Sequence, residues 1–121
     1  MPTKIAKGAA SALYTGRPYR NGNTEVRWTR EGDVGTLYLH GTAIARVADD
    51  LTAITVGDWN TPTTRERLNA LPGVDVCVSR GVLYLNGHAW SGDWTYIHDA
   101  NTGNEPNWSR VPREDIAAFN G

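Results

Sequence analysis

The residues with chemical reach in this 121-residue chain are three histidines, one cysteine and two aspartates in a repeated Gly-Asp-Trp triplet at 57–59 and 92–94. If folding brought Asp58 and Asp93 together, a small hydrolase could use the pair of carboxylates with a histidine. What such a pair can do depends on its separation, which chain spacing does not fix. Each aspartate also has a plainer role, bonding nearby backbone in a turn. His40, His88 and His98 show no His-x-x-x-His spacing, and a zinc site needs three or four converging ligands. Cys77 sits in Val74-Asp75-Val76-Cys77-Val78 and reads as a small apolar strand residue. One cysteine leaves neither an internal disulfide nor a multi-cysteine metal site. Ser11, Ser79, Ser91 and Ser109 lack a Gly-x-Ser-x-Gly surround, and a nucleophile needs a base and an orienting group within reach. The expectation is a protein that is not an enzyme and carries no metal or cofactor.

Aromatic and guanidinium groups are then left to carry function. Of twelve basic residues only Lys4 and Lys7 are lysine, and five tryptophans and five tyrosines stand in the same short chain. A GC-rich coding sequence accounts for the arginine bias, yet arginine is also the better residue for bidentate contacts and stacking. Tyrosine, tryptophan and arginine are the types enriched at interface anchor points. The candidate binding surface is Tyr38, Trp59, Arg65, Arg67 and Tyr84. Trp59, Trp90 and Trp94 adjoin Gly or Asp turns, which suggests a cleft at one end of a sheet, while Trp108 pins a polar loop. Arg27, Trp28 and Arg30, with Arg65 and Arg67, would suit a single-stranded nucleic acid held by stacking beside basic groups. Against that reading, the formal net charge is −1, which gives no overall positive field. Thr63-Thr64-Arg65 could hold an anion at a helix start, although capping already explains Thr63 and Glu66.

The elements that must position these groups come next. Thr36-Leu37-Tyr38-Leu39-His40 alternates, placing Leu37 and Leu39 on one face and Tyr38 and His40 on the other. Val26 and Trp28 precede it across the turn Glu31-Gly32-Asp33, and segments 43–47 and 52–56 follow, with Ile54 and Val56 inward. A helix starts at Thr63, with Glu66 completing a capping box, and Pro72-Gly73 stops it. A second meander runs through Val74, Val76 and Val78, then Val82–Leu85, the Asn86-Gly87 turn, His88–Trp90 and Trp94–Ile97. Residues 99–110 read as loop, and Pro112 opens a C-terminal helix to Phe119. Residues 1–24 read as an N-terminal arm, with a short helix allowed around Ile5–Leu13, and 25–121 as one domain. The fold class is α+β: an antiparallel β-meander sheet of about six to eight strands with one central helix and a short C-terminal helix.

Gly35-Thr36-Leu37-Tyr38-Leu39-His40-Gly41-Thr42-Ala43 echoes Gly81-Val82-Leu83-Tyr84-Leu85-Asn86-Gly87-His88-Ala89, so Tyr38 and Tyr84 should hold equivalent places. Two copies are too few for a solenoid or propeller. Leu39-His40-Gly41, then Trp59, then Thr63-Thr64-Arg65 with Leu68-Asn69, then Leu83-Tyr84-Leu85-Asn86-Gly87 and Trp90 form an ordered series. It resembles small uncharacterised proteins of tailed bacteriophages over about residues 35–95. The resemblance implies a phage of a GC-rich host, such as an actinobacteriophage, and a place in the host cytoplasm. It implies no activity. With no apolar run near the ~18 residues of a membrane span, the expected partner is a host protein or small ligand. Nucleic acid is the alternative, no membrane is involved, and edge strands would allow a homodimer.

Overall fold

Thr3 begins the first helix: its hydroxyl accepts the Ala6 N–H at 3.2 Å, the usual service of a threonine N-cap. The structure, a computed structural model, describes residues 3–49, 51–57, 60–98, 106–112 and 114–115. Helix α1 (Lys4–Thr15) ends at Gly16, whose φ of 71° lets the chain reverse, a conformation that costs glycine nothing. Its buried face is Ala6, Ala9, Ala10, Ala12 and Leu13. These small side chains let the helix lie close on the strands, and α1 joins the main core through Ala9, Ala10, Ala12 and Leu13. The reading of residues 1–24 as an arm is therefore corrected. Residues 4–24 supply a core helix and a strand, β1 (Tyr19–Asn21).

Strands β2 (Thr24–Trp28), β3 (Val34–Leu39), β4 (Thr42–Ala48) and β5 (Leu51–Ile54) form the expected first meander. With β1, β9 (Thr95–Ile97) and β10 (Trp108–Arg110) they make a seven-stranded sheet in the order β1-β2-β3-β4-β5-β9-β10, every neighbour antiparallel. One register row, Val26–Leu37–Ala45–Ile54–Thr95, crosses five strands, and all of its residues are at most 1% exposed. This is the floor of the core. The register shifts between Leu37 and Tyr38, so Ile44 is the extra residue of a β4 bulge, and it is buried too. A bulge lets two successive residues serve the same side. Strand β10 lies in the stretch read as loop. The proposed C-terminal helix falls largely outside the described residues.

Helix α2 (Pro62–Asn69) is capped by Thr61, whose side chain accepts the Thr64 N–H, with Pro62 at the first helical position. The expected cap at Thr63 is thus displaced by two residues. Proline favours the first helical position, where its missing N–H and fixed φ cost nothing. Thr64, Arg67 and Leu68 form its buried side. A second sheet of three strands, β6 (Val76–Ser79), β7 (Val82–Leu85) and β8 (His88–Ala89), adds Val76 and Leu85 to the same core. His40-Gly41, Arg80-Gly81 and Asn86-Gly87 all hold two successive positive φ angles, the signature of the two-residue hairpin turn. The architecture is α+β and mostly strand. Among the described residues no helix is long and apolar enough to cross a membrane.

Candidate functional site

The four candidate surface residues that the structure describes, Tyr38, Arg65, Arg67 and Tyr84, do not converge. Tyr38 and Tyr84 keep equivalent registers, opposite Ala43 and Ala89 respectively, but they belong to different sheets. Tyr38 lies under Arg27, whose guanidinium carbon is 5.3 Å from the ring centroid. Arg27 donates to Glu25 at 2.8 Å. That bond, more than any other influence, holds the Glu25 carboxyl below its ordinary range and raises the Arg27 guanidinium. Arg27 is therefore already engaged by a carboxylate and a ring. Trp59 and Asp58 lie outside the described residues.

Arg67 is a correction. It is 6% exposed, and its Nε donates to Thr24 Oγ1 at 2.9 Å. Its Nη1 reaches Glu66 Oε1 and, at 3.4 Å, Thr3 Oγ1, while Thr3 donates to Glu66 at 2.7 Å. A guanidinium read as a surface grip is instead the internal tie between α1, α2 and β2. Glu66 serves this network and does not complete a capping box. Three of the tryptophans are also bonded within the chain. The Trp28, Trp90 and Trp108 indoles donate to Arg17 O, Thr95 Oγ1 and Leu85 O at 3.1, 2.8 and 3.1 Å. Trp90 is 6% exposed, so it does not line a cleft, whereas Trp108 does pin its segment as expected.

Of the described groups considered for catalysis, Asp93, His40 and His98 each have a separate partner. Asp93 is exposed and paired with Arg110 at 2.6 Å. His40 meets Asn23 Nδ2 at 3.2 Å and His98 meets Ser109 Oγ at 2.8 Å. Among the described residues, no group of three or more His, Cys, Asp or Glu could hold a metal ion. A cavity of about 440 Å³ beside the start of α2 has an apolar floor of Leu39, Ile44 and Val56 under His40 and four threonines. The Thr61 and Thr64 hydroxyls there are bonded to each other at 2.9 Å.

A second concavity of about 440 Å³ does gather a candidate residue. It runs between α2, through Pro62, Arg65, Glu66 and Asn69, and β6, through Val76, Cys77 and Val78. Arg65 Nη1 donates to Asn60 Oδ1 at 2.6 Å, a neutral acceptor. Strand β6 forms the other wall. Because the turn is Arg80-Gly81 and Ser79 stands opposite Val82, the hydrogen-bonded pairs must alternate back along the ladder as Ser79–Val82 and Cys77–Tyr84. The Asn86 N–H bond to Asp75 O at 2.7 Å continues this alternation. Val76 and Val78 consequently turn their N–H and C=O groups away from β7. At Val76 the Asn69 amide meets both, its Oδ1 accepting the N–H at 2.6 Å and its Nδ2 donating to the carbonyl at 2.9 Å. At Val78 no described residue does so. Val78 and Val82 are 41% and 43% exposed. Cys77, also exposed, faces the same way as Tyr84 and Ala89, which stand beside it in register.

Sequence reasoning missed Asn69 and Val78. The Pro72-Gly73 reversal that folds β6 back along α2 was visible, but nothing in the spacing of Asn69 and Val76 shows an amide meeting a backbone. No curated protein and no solved structure matches the chain. The family model described as Kyanoviridae Gp96 protein matches residues 2–109. Kyanoviridae are cyanophages, which corrects the expected actinobacteriophage origin while keeping the tailed-phage one. The match takes in both hairpins, both helices and the groove between α2 and β6, and the chain belongs to the Kyanoviridae Gp96 family.

Proposed function

We propose that this phage protein is a non-catalytic binding protein that engages a protein of the infected host, in the host cytoplasm, through the outer side of the β6–β8 sheet. The observation that carries this reading is the exposed apolar hairpin. Val82 is more than two-fifths exposed, and it shares the outer face with the exposed Cys77 and with Tyr84, which stands directly across from Cys77. Contiguous apolar surface of this kind marks interaction sites on soluble proteins, and a tyrosine at its centre suits an anchor. A nucleic-acid reading draws less support, because Arg27 and Arg110 are already paired with carboxylates and Arg67 is internal.

The test compares wild type with Val82→Glu as baits in nuclease-treated lysate of the host cyanobacterium. The expected result is a specific host protein retained by wild type and lost with Val82→Glu, at unchanged melting temperature. Identical capture by both baits, or capture that disappears with nuclease alone, would refute the reading.

A further inference from the structure

The four sheet edges are unequal. At the edges of the large sheet, β1 and β10 are three residues long and carry Arg20 and Arg110, and at one edge of the small sheet β8 has two residues. Short, charged edges are the common protection against unwanted strand pairing. The fourth edge, β6, reads Val-Cys-Val-Ser with no charge, and it borders the groove along α2.

We propose that this groove receives an extended segment of the partner, which adds to the small sheet as a strand beside β6 and sets a carboxylate against Arg65. The proposal rests on the protein-partner reading above. Val78 offers an N–H and a C=O in the plane of the sheet, and another backbone in extended form satisfies both at once. The Asn69 amide performs the same double bond at Val76, so it stands in the lane of the absent strand and marks where that strand must end. The charge of the wall points to an acidic segment. Glu66 is paired with Arg67, whereas among the described residues Arg65 meets only the neutral Asn60. A second copy of the chain fits less well. Pairing Val78 with the Val78 of a copy would bring the copy's Arg80 opposite Val76, where Asn69 already stands.

The experiment selects binders to the full-length protein from a displayed library of short random peptides, and then measures the enriched peptides by fluorescence anisotropy. The expected binders alternate apolar residues and carry an acidic residue. Val78→Pro removes an N–H that faces away from β7, at an edge where proline is tolerated. It should weaken binding by up to about tenfold, as expected for losing one backbone hydrogen bond. Arg65→Gln should weaken the acidic peptides and spare versions with Asn or Gln in place of the acid. If Val78→Pro does not fold, hydrogen exchange on wild type replaces it: bound peptide should slow the Val78 amide by about tenfold or more and leave Cys77 and Ser79 unchanged. Peptides that bind Val78→Pro as well as wild type and leave Val78 exchange unaltered would overturn strand addition while the protein-partner reading stood. The same holds if the library yields nothing while Val82→Glu still abolishes host capture. Self-association in sedimentation that depends on Val78 would overturn the proposal in favour of a second copy.

Discussion

Replacing Arg67 tests whether its guanidinium holds the fold together or grips a partner. Arg67→Ala removes the Nε bond to Thr24, a residue with no exposed surface. Losing a hydrogen bond from a charged donor to a buried acceptor costs about 1.5–3 kcal/mol. The lost Cγ and Cδ methylenes add about 1.6 kcal/mol of apolar burial. Two effects offset part of this: no charge is buried any longer, and the Glu66 side chain, 31% exposed, can turn to water. A net loss of about 3 kcal/mol is expected, or about 12 °C in melting temperature for a chain of this length. Arg67→Met keeps the stem and gives up only the polar bonds, so it should lose about 1.5 kcal/mol less than the alanine variant. A double-mutant cycle with Thr24→Val should show coupling of about 1 kcal/mol or more. The assay is thermal and urea unfolding followed by circular dichroism. If Arg67→Ala melts within about 2 °C of wild type yet loses its partner, the internal tie is wrong and Arg67 belongs to a contact surface.

Asn69→Ala removes both bonds to the Val76 backbone and should cost about 2 kcal/mol. It also lengthens the open edge, so concentration-dependent association should rise in light scattering. Gly92→Ala should be more damaging, because φ is +91° and a Cβ would come within 2.6 Å of Val56 Cγ2; a melting-temperature fall beyond that of Asn69→Ala is expected. The Tyr96 phenol is pushed above its ordinary value of 10.0, first by burial and then by nearby Asp115. A group with a raised folded pKa contributes stability that is fully present below the unfolded pKa and lost as pH rises through the folded one. Stability should therefore fall above about pH 10, and less so in Tyr96→Phe. Absorbance at an ultraviolet wavelength specific for phenolate should show a late-ionising tyrosine that this variant lacks.

Legibility in the sequence followed the range of the interaction. Asn86-Gly87 was read correctly because two positive φ angles are a local demand that few residues meet. The alternation of Leu37 and Leu39 with Tyr38 was read for the same reason, since one strand's faces are set within itself. α1 was underestimated because its core face is mostly alanine, and small residues at helical spacing give little apolar signal even where they permit close packing. Gly8 shows why smallness mattered there: a Cβ would come within 2.8 Å of the Tyr19 ring. The cap of α2 was misplaced because Thr61 and Thr63 are both competent caps, and the decision lay with Pro62. Arg67 was misread because its partners, Thr3 and Thr24, are 64 and 43 residues away. No local pattern distinguishes an arginine bound for the interior from one bound for solvent.

That distribution of arginines sets how association should respond to salt. Arg27 and Arg110 are neutralised by Glu25 and Asp93, Arg46 and Arg67 are buried, and the groove presents Arg65. A partner held there would gain its affinity from backbone bonds and apolar contact, with a single charge pair added. One pair, screened over about 8–10 Å at ordinary ionic strength, should change the dissociation constant only a few-fold between low and physiological salt. A nucleic acid neutralised by several arginines would instead lose orders of magnitude over the same range. Titrating the selected acidic peptide and a fluorescent single-stranded oligonucleotide across a salt series separates the two. A shallow peptide slope that vanishes in Arg65→Gln supports the groove, whereas a steep oligonucleotide slope with tight binding at low salt would move the function to nucleic acid.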